Sequence, residues 1–214
     1  MVSTLDSILP EQHLTLYDVS WEYYEQTLRE IGHHHLQITF LDGTMEIMSP
    51  LPEHEAAKEA ISTLIKMLTF ALQIPIKCFG STTFRKEKKK AGSEPDSCFY
   101  FNNRDRAKGM KRWDPDNCPA PDLFVEVDVF SRSVSRETIF ARLGVPELWR
   151  FYKGKITIRH LGTDGTYSDS AQSQFLPPMP MDEFCQFVQD MMEAEDETAV
   201  LGRFRDWVLS LPKR

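Results

Sequence analysis

Three carboxylates stand close together in an apolar segment of the chain, residues 121–129. Asp122, Glu126 and Asp128 are separated by even numbers of residues, so on a β-strand their side chains share one face. Phe124 lies on the same face, whereas Leu123, Val125 and Val127 form the other face, which we expect to belong to the core. Carboxylates on a buried strand are costly unless something pairs with them, and a divalent cation suits because hard cations take oxygen ligands. An edge strand with one solvated face is the alternative, and the segment alone favours neither.

Two further carboxylates, Glu46 and Asp96, fall on other predicted strands. If these strands are neighbours, the acids meet as a group of two or three, which is the arrangement that holds Mg²⁺ or Mn²⁺ for phosphodiester hydrolysis. Such a site also needs a cation near the attacked phosphate. Lysine is usual there, and arginine is a partial substitute because it cannot give up a proton. The alternative is structural, with the same carboxylates forming ion pairs with arginines such as Arg85 and Arg136.

Charge is distributed unevenly along the chain. The net charge is −7, which argues weakly against a general nucleic-acid binder, yet residues 85–112 hold ten Lys or Arg and only four Asp or Glu. This segment includes Arg85, Lys86, Lys88 and Lys89, and it precedes the carboxylate-bearing strand. It could therefore hold a polyanion such as nucleic acid beside that strand. A solvated loop with a charged tip is the alternative.

The elements that must position these residues follow from periodicity and turn signals. Apolar residues at helical spacing predict helices over residues 18–31, 49–73, 137–143, 181–192 and 200–211. Asp42-Gly43 between two alternating runs predicts a β-hairpin over residues 37–48. Extended runs predict two more strand pairs, residues 81–85 with 94–101 and residues 145–151 with 156–161. The three histidines at 33–35 are expected to mark a helix exit and a strand start rather than a metal site.

The order of these elements predicts an α/β fold with a mixed β-sheet. We expect one domain over residues 1–190 and a C-terminal helical extension over residues 191–214. No run of 18 apolar residues exists, and residues 1–11 carry two acidic residues and no basic one, so neither a transmembrane helix nor a signal peptide is predicted. The four cysteines include no CxxC pair, which suits reduced thiols in a cytoplasmic protein with no membrane partner.

Four motifs in series resemble the Uma-two family of restriction-endonuclease-like proteins, which is grouped with the PD-(D/E)XK nucleases. Each motif alone is weak, but four in the family's order and at family-like spacing are fairly specific, and together they span roughly residues 14–187. The motifs are Asp42-Gly43-x-x-Glu46-x-Met48-Ser49-Pro50 followed by His54-Glu55, then Glu94-Pro95-Asp96, then Pro121-Asp122-Leu123-x-x-Glu126-Val127-Asp128, and finally Leu143-Gly144-Val145-Pro146-Glu147-x-Trp149-Arg150.

The resemblance implies a restriction-endonuclease-like mixed β-sheet flanked by helices, with an N-terminal helix and β-hairpin. It also implies a metal-dependent endonuclease that hydrolyses DNA with Mg²⁺ or Mn²⁺. Asp96 would be the metal-binding aspartate and Glu126 the acid of the second half-motif. Asp122 follows the family's habitual proline, while Glu46 and His54 match positions near the family's site. Taken alone, His54 is expected to be a surface residue at a helix start.

One position departs from the family pattern. Asp128 stands where the usual motif has lysine, and Arg136 on the following helix matches the position to which that lysine migrates. An arginine neutralises phosphate but is a poor general base. Two alternatives to a nuclease therefore stay open: a non-catalytic nucleic-acid-binding or dimerising module of the same fold, and an acidic partner-binding protein that uses the helix from Val200. A homodimer is expected of a nuclease that cuts two strands.

Overall fold

The structure, a computed structural model, describes residues 12–32, 36–128 and 134–212, and its strands form two sheets. The first sheet is antiparallel, in the order β1-β3-β2-β6-β5, with β1 at Gln12–Leu16, β2 at Gln37–Leu41, β3 at Thr44–Ser49, β5 at Phe84–Lys86 and β6 at Ala91–Ser93. The second has the order β11-β10-β9-β8-β7-β4, with β4 at Lys77–Cys78, β7 at Ser97–Tyr100, β8 at Leu123–Asp128, β9 at Glu147–Tyr152, β10 at Lys155–Leu161 and β11 at Tyr167–Ser170. Only the β8–β9 pairing is parallel among the described strands. The mixed α/β fold is thus confirmed, divided between two sheets.

Five helices are described, and local sequence signals account for several of their ends. They are α1 at Trp21–Ile31, α2 at Pro52–Ala71, α3 at Arg136–Leu143, α4 at Met181–Glu193 and α5 at Glu197–Ser210. Ser20 caps α1 by accepting a hydrogen bond from the Tyr23 amide at 3.2 Å, and Gly144 ends α3 with a φ of 84°. In the described part of the chain, no helix is long and apolar enough to cross a membrane.

Strand β8 is buried on both faces rather than on one. Val125 and Val127 pack into the cluster that α2, α4 and α5 cover, whereas Phe124 packs with Phe140 of α3 on the opposite side. The carboxylate-bearing face is therefore an interior face, and the solvated edge strand considered from the sequence is not what forms. Helix α5 contributes Phe204 to the first of these clusters, so residues beyond 190 share the core of the second sheet.

The segment over residues 94–101 is not the single strand predicted from its sequence. The chain leaves the first sheet at the end of β6 and enters the second at the start of β7, and residues 94–96 make the crossing. Pro95 has no N–H to donate to a ladder, which fits a break at this point. Strand β1, which precedes the first helix, pairs with β3. The histidines at 33–35 lie outside the described residues.

Candidate active site

Asp96 is fully buried at the crossing between the two sheets, where three elements hold its carboxylate. Gln37 donates from Nε2 to Oδ1 at 2.7 Å, and the backbone amide of Val127 donates to Oδ2 at 2.7 Å. The Nε2 of His54 lies 3.2 Å from the same Oδ2. Donors from β2 and β8, and the close imidazole from α2, therefore hold this carboxylate in one orientation.

Glu126 lies near Asp96, since the two residues directly adjoin the Val125–Ser97 pair that ends the β7–β8 ladder. Arg136 donates from Nη1 to the two oxygens of Glu126, at 3.2 and 2.9 Å, and the two side chains are only 6% and 3% exposed. The ion pair considered as the structural alternative for Glu126 therefore exists, and it involves Arg136. Arg85 instead pairs with Glu25 at 2.6 Å.

Gln37 joins the two halves of the site, although sequence reasoning missed it. Its Oε1 accepts from Nη2 of Arg136 at 2.9 Å, while its Nε2 binds Asp96. The amide therefore bridges the guanidinium and the aspartate. The available signal was a polar residue opening a strand whose neighbours Ile38 and Phe40 are apolar, but nothing local identifies its partners, 59 and 99 residues away.

His54 and Glu46 are both buried, which corrects the expectation that His54 lies on the surface. His54 occupies the first turn of α2 and turns inward to Asp96. Glu46 pairs with Thr39 across the β2–β3 hairpin, and strand alternation places it on the same face as Gln37. Both residues therefore lie on the side of the first sheet that faces the crossing.

Glu94 is the first residue of the crossing, directly after β6. Its carbonyl accepts a 2.9 Å hydrogen bond from Nη1 of Arg136, and its carboxyl accepts one from the Thr83 hydroxyl. Burial raises the pKa of the Glu94 carboxyl above its ordinary range, opposed by the Thr83 hydrogen bond and by nearby arginines. The guanidinium of Arg136 is thereby held by four acceptors from three residues.

Asp122 does not join this group. Its carboxylate accepts from the backbone amides of Phe101 and Asn103, at 2.6 and 3.2 Å, and from the Asn103 side chain at 2.8 Å. These partners follow the end of β7, whereas Asp96 precedes its start. Four residues of extended chain separate Asp122 from Glu126, about 13 Å. The structure therefore places Asp122 in a loop-holding position at the far end of β8.

Asp128, at the motif's lysine position, is neutralised by an arginine from the neighbouring strand. Arg150 donates from Nε and Nη2 to its Oδ2 at 2.8 and 2.6 Å, and from Nη1 to Glu137 at 3.0 Å. These groups line a cleft of about 360 Å³ that reaches Glu126 and Arg136. The cleft, which we call the site cleft, is lined by Glu126, Asp128, Val134, Ser135, Arg136, Glu137, Phe140, Leu148, Arg150 and Arg159.

The predicted nucleic-acid-binding residues divide into two pairs. Arg85 is held by Glu25, and Lys86 donates to the Leu143 carbonyl at 3.2 Å, with burial lowering its pKa. Lys88 and Lys89 are exposed on a short 3₁₀ turn. Lys89 lines a second cleft together with Ser135 and Glu137, two residues that also line the site cleft. Lys89 thus lies on the side of the molecule that the site opens to.

The side chains present fit a magnesium ion by their chemistry. Across residues 12–32, 36–128 and 134–212, no three His, Cys, Asp or Glu side chains form a group that could hold a metal ion, so Glu46 does not complete a set with Asp96 and Glu126. Magnesium, however, is commonly held by one or two carboxylates and keeps several waters. Asp96 at the crossing and Glu126 on β8, which adjoin the Ser97–Val125 pair at the end of the β7–β8 ladder, supply two such carboxylates.

Comparisons with known proteins place the chain in a family. No curated protein matches the sequence. A solved structure, titled "Crystal structure of a putative nuclease belonging to DUF820 from Anabaena variabilis", matches with a TM-score of 0.43 and 14% identity over 77% of this chain and 90% of that chain. The model of the Uma2 family, described as "Putative restriction endonuclease", matches residues 21–188, the span that carries all four motifs and the whole candidate site. The chain therefore belongs to the Uma2 family.

Proposed function

We propose that the protein is a metal-dependent endonuclease that hydrolyses phosphodiester bonds in DNA. The observation that carries the proposal is the juxtaposition of Asp96, Glu126 and Arg136 at the crossing between the sheets, where a cleft reaches Glu126 and Arg136. Two carboxylates and a guanidinium supply both the oxygen ligands and the positive charge that phosphodiester hydrolysis needs. Membership of the Uma2 family supports the same reaction class.

Each residue has a role that follows from its contacts. Mg²⁺ or Mn²⁺, held by Asp96 and Glu126, would lower the pKa of a bound water and stabilise charge on the leaving oxygen. Gln37 and His54 keep Asp96 in a fixed orientation, so little reorganisation is needed when the site is loaded. Arg136 stays protonated and contributes charge beside the phosphate rather than acting as a base. For the Glu126 carboxylate to bind a cation, its ion pair with Arg136 must break, or one carboxylate oxygen must bind the cation while the other stays with Arg136.

Basic residues on both sides of the crossing support DNA as the substrate. Lys89 adjoins the site cleft. On the other side of Glu94, a cleft of about 490 Å³ between α1 and β5 is lined by Arg29, Arg85, Lys111 and Arg112, among others. Phosphate contacts of this kind position a nucleic acid without reading its sequence. The proposal therefore places the DNA backbone along these two walls.

The test is plasmid nicking by the wild type and by Asp96→Asn and Glu126→Gln, with Glu195→Gln as the control. Glu195 is an exposed carboxylate outside the site. We expect nicking in Mg²⁺ or Mn²⁺ that a chelator abolishes, that falls at least about 100-fold in either site variant, and that persists in the control. Equal nicking by wild type and Glu126→Gln would show that any activity comes from elsewhere or from a contaminant.

A second candidate function is a non-catalytic DNA-binding module of the same fold. It is favoured by one observation, the capture of both Glu126 oxygens by Arg136. On this hypothesis the protein binds DNA with an affinity that falls as salt rises, because basic residues displace counterions, and it cuts nothing in any divalent metal. Binding measured on the same samples as nicking separates the two functions.

A further inference from the structure

One face of the second sheet continues outward from the candidate site. Strand pairing places Arg150 opposite Glu126 and Tyr152 opposite Asp128, and side chains two apart on β9 share a face. Across β10, Thr157 comes opposite Arg150. The row that begins with the carboxylates of β8 is thus extended by a guanidinium and an aromatic ring on β9, and then by polar side chains on β10. We call Arg150, Tyr152, Lys155, Thr157 and Arg159 the β9–β10 face.

No described helix covers this face beyond its inner end. Helix α3 packs over Phe124 and Leu148, next to the carboxylates, and α4 packs on the opposite side of the sheet, where Cys185 accepts from the Ile156 amide at 3.2 Å. Tyr152 is accordingly 45% exposed and the Arg150 side chain 42% exposed. An exposed aromatic ring beside an ordered guanidinium can bind a ligand that has both a flat aromatic surface and a negative charge.

The β9–β10 face also forms one surface with the site. A cleft of about 310 Å³ is lined by Arg150, Tyr152, Thr157, Arg159 and Asp169, and Arg150 and Arg159 also line the site cleft. Both guanidiniums are anchored through Glu137, at 3.0 Å in the case of Arg150, so their positions are set before any ligand arrives. A ligand lying in the outer cleft is therefore delivered to the carboxylates.

Tyr152 lies at the end of a strand, directly before a tight turn. It is the last residue of β9, and a tight turn through Lys153 and Gly154, both at positive φ, follows it at once. The ammonium of Lys153 lies 5.1 Å from the ring centroid. Exposed Lys155, opposite Tyr152 in the ladder, adds a second mobile charge at the rim. The exposed ring is thus flanked by two lysines that can follow a phosphate backbone.

We propose that the β9–β10 face binds an unpaired strand of DNA beside the candidate active site, with a base stacked on Tyr152 and flanking phosphates near Arg150 and Arg159. The inference rests on the proposed nuclease function and narrows its substrate to DNA that is single-stranded at the cleavage point. Bases inside a duplex are already stacked and cannot reach the ring, whereas unpaired bases stack readily on aromatic side chains. The positive charges of Lys153 and Lys155 complement the negative charge of the DNA backbone.

The experiment is fluorescence anisotropy in EDTA, which removes cleavage from the measurement. A labelled oligothymidylate and a labelled duplex of the same length are titrated with wild type, Tyr152→Ala, Tyr152→Leu and Tyr152→Phe. The leucine variant keeps an apolar side chain of similar size, so a loss shared by alanine and leucine reports the missing ring rather than a misfolded strand. Tyr23→Ala is the matched control, because Tyr23 is 52% exposed on α1, in a different part of the fold.

We expect tighter binding of the single strand than of the duplex by the wild type, and a loss of about 5- to 150-fold for the single strand in the alanine and leucine variants. The phenylalanine variant and Tyr23→Ala should bind as the wild type does. The inference is overturned if Tyr152→Ala binds the single strand like the wild type, or if single-strand and duplex binding fall together.

The same proteins separate this inference from the function on which it rests. Cleavage of duplex DNA at equal rates by wild type and Tyr152→Ala would contradict single-strand binding at the β9–β10 face, while it would support the nuclease function. If the single strand binds in a Tyr152-dependent way but no DNA is cleaved in Mg²⁺ or Mn²⁺, the nuclease function is contradicted and single-strand binding at the β9–β10 face is supported.

Discussion

The buried ion pair between Arg136 and Glu126 is expected to be important for the stability of the folded state. Both side chains are almost fully buried, and Arg136 also binds the Glu94 carbonyl and Gln37. Replacing Arg136 with Met removes the charge while keeping an unbranched apolar side chain. Glu126 is then left as a buried carboxylate without its guanidinium, and the acceptors on Gln37 and Glu94 lose a donor. We therefore expect Arg136→Met to be strongly destabilising.

The magnitude follows from this burial. Removing one partner of a buried ion pair costs about 3–5 kcal/mol, because the remaining charge is uncompensated. For a chain of this size, each kcal/mol shifts the melting temperature by about 2–4 °C. We expect Arg136→Met to lower the melting temperature by about 6–20 °C. Glu126→Gln should cost less, since the amide oxygen still accepts from the guanidinium.

The assays are thermal unfolding and urea unfolding of the wild type, both single variants and the double variant at pH 7. Because the double variant has no unpaired charge, we expect it to regain most of the stability that Arg136→Met loses, which gives a favourable coupling energy between the two positions. A melting temperature for Arg136→Met within about 2 °C of wild type, or strictly additive losses, would refute the reasoning. In either case the pair would not be present in the folded protein.

Four other experiments test separate parts of the structure. Asp122→Ala should lower stability by about 2–4 kcal/mol in urea unfolding, because it leaves buried amides unsatisfied, while any cleavage by the folded protein stays unchanged. Burial raises the pKa of Glu94, so its contribution to stability is present below its ordinary pKa of 4.5 and is lost as pH rises; Glu94→Gln should therefore stabilise the protein near pH 7 and give little gain near pH 4. A Cβ on Gly92 would press on the Tyr24 hydroxyl and lie 2.9 Å from its Cζ, so Gly92→Ala should cost about 1–3 kcal/mol, and Tyr24→Phe should relieve part of that loss in a double-variant cycle. Burial raises the pKa of the Cys98 thiol well above its ordinary value, so iodoacetamide at pH 8 should label Cys98 only after unfolding, as mass spectrometry would show.

Local chemistry made part of the fold predictable. The β2–β3 hairpin follows from Asp42-Gly43, and both residues adopt the positive φ that its tight turn needs. Ser20 and Gly144 bound α1 and α3 as their residue types indicate. The acidic strand β8 also follows from alternation, whereas the choice of Asp96 and Glu126 as candidate metal ligands came from the resemblance to the Uma-two family.

The rest depended on contacts that no local pattern encodes. Alternation identifies an extended chain but not the sheet it joins, so the passage of residues 94–101 from one sheet to the other could not be read from sequence. The bridging role of Gln37 depends on partners far along the chain. His54 was misjudged for the same reason: a histidine in a first helical turn is ordinarily exposed, and only the packing of α2 against the crossing buries it.

Calorimetric titration of Mg²⁺ and Mn²⁺ into wild type and Glu126→Gln tests the central claim most directly. Glutamine preserves an acceptor for Arg136, so a lost signal reports the missing carboxylate charge rather than a collapsed site. We expect saturable binding of a divalent cation by the wild type and its loss in Glu126→Gln. Equal binding by the two proteins, or no binding by the folded wild type, would contradict a metal site at Asp96 and Glu126.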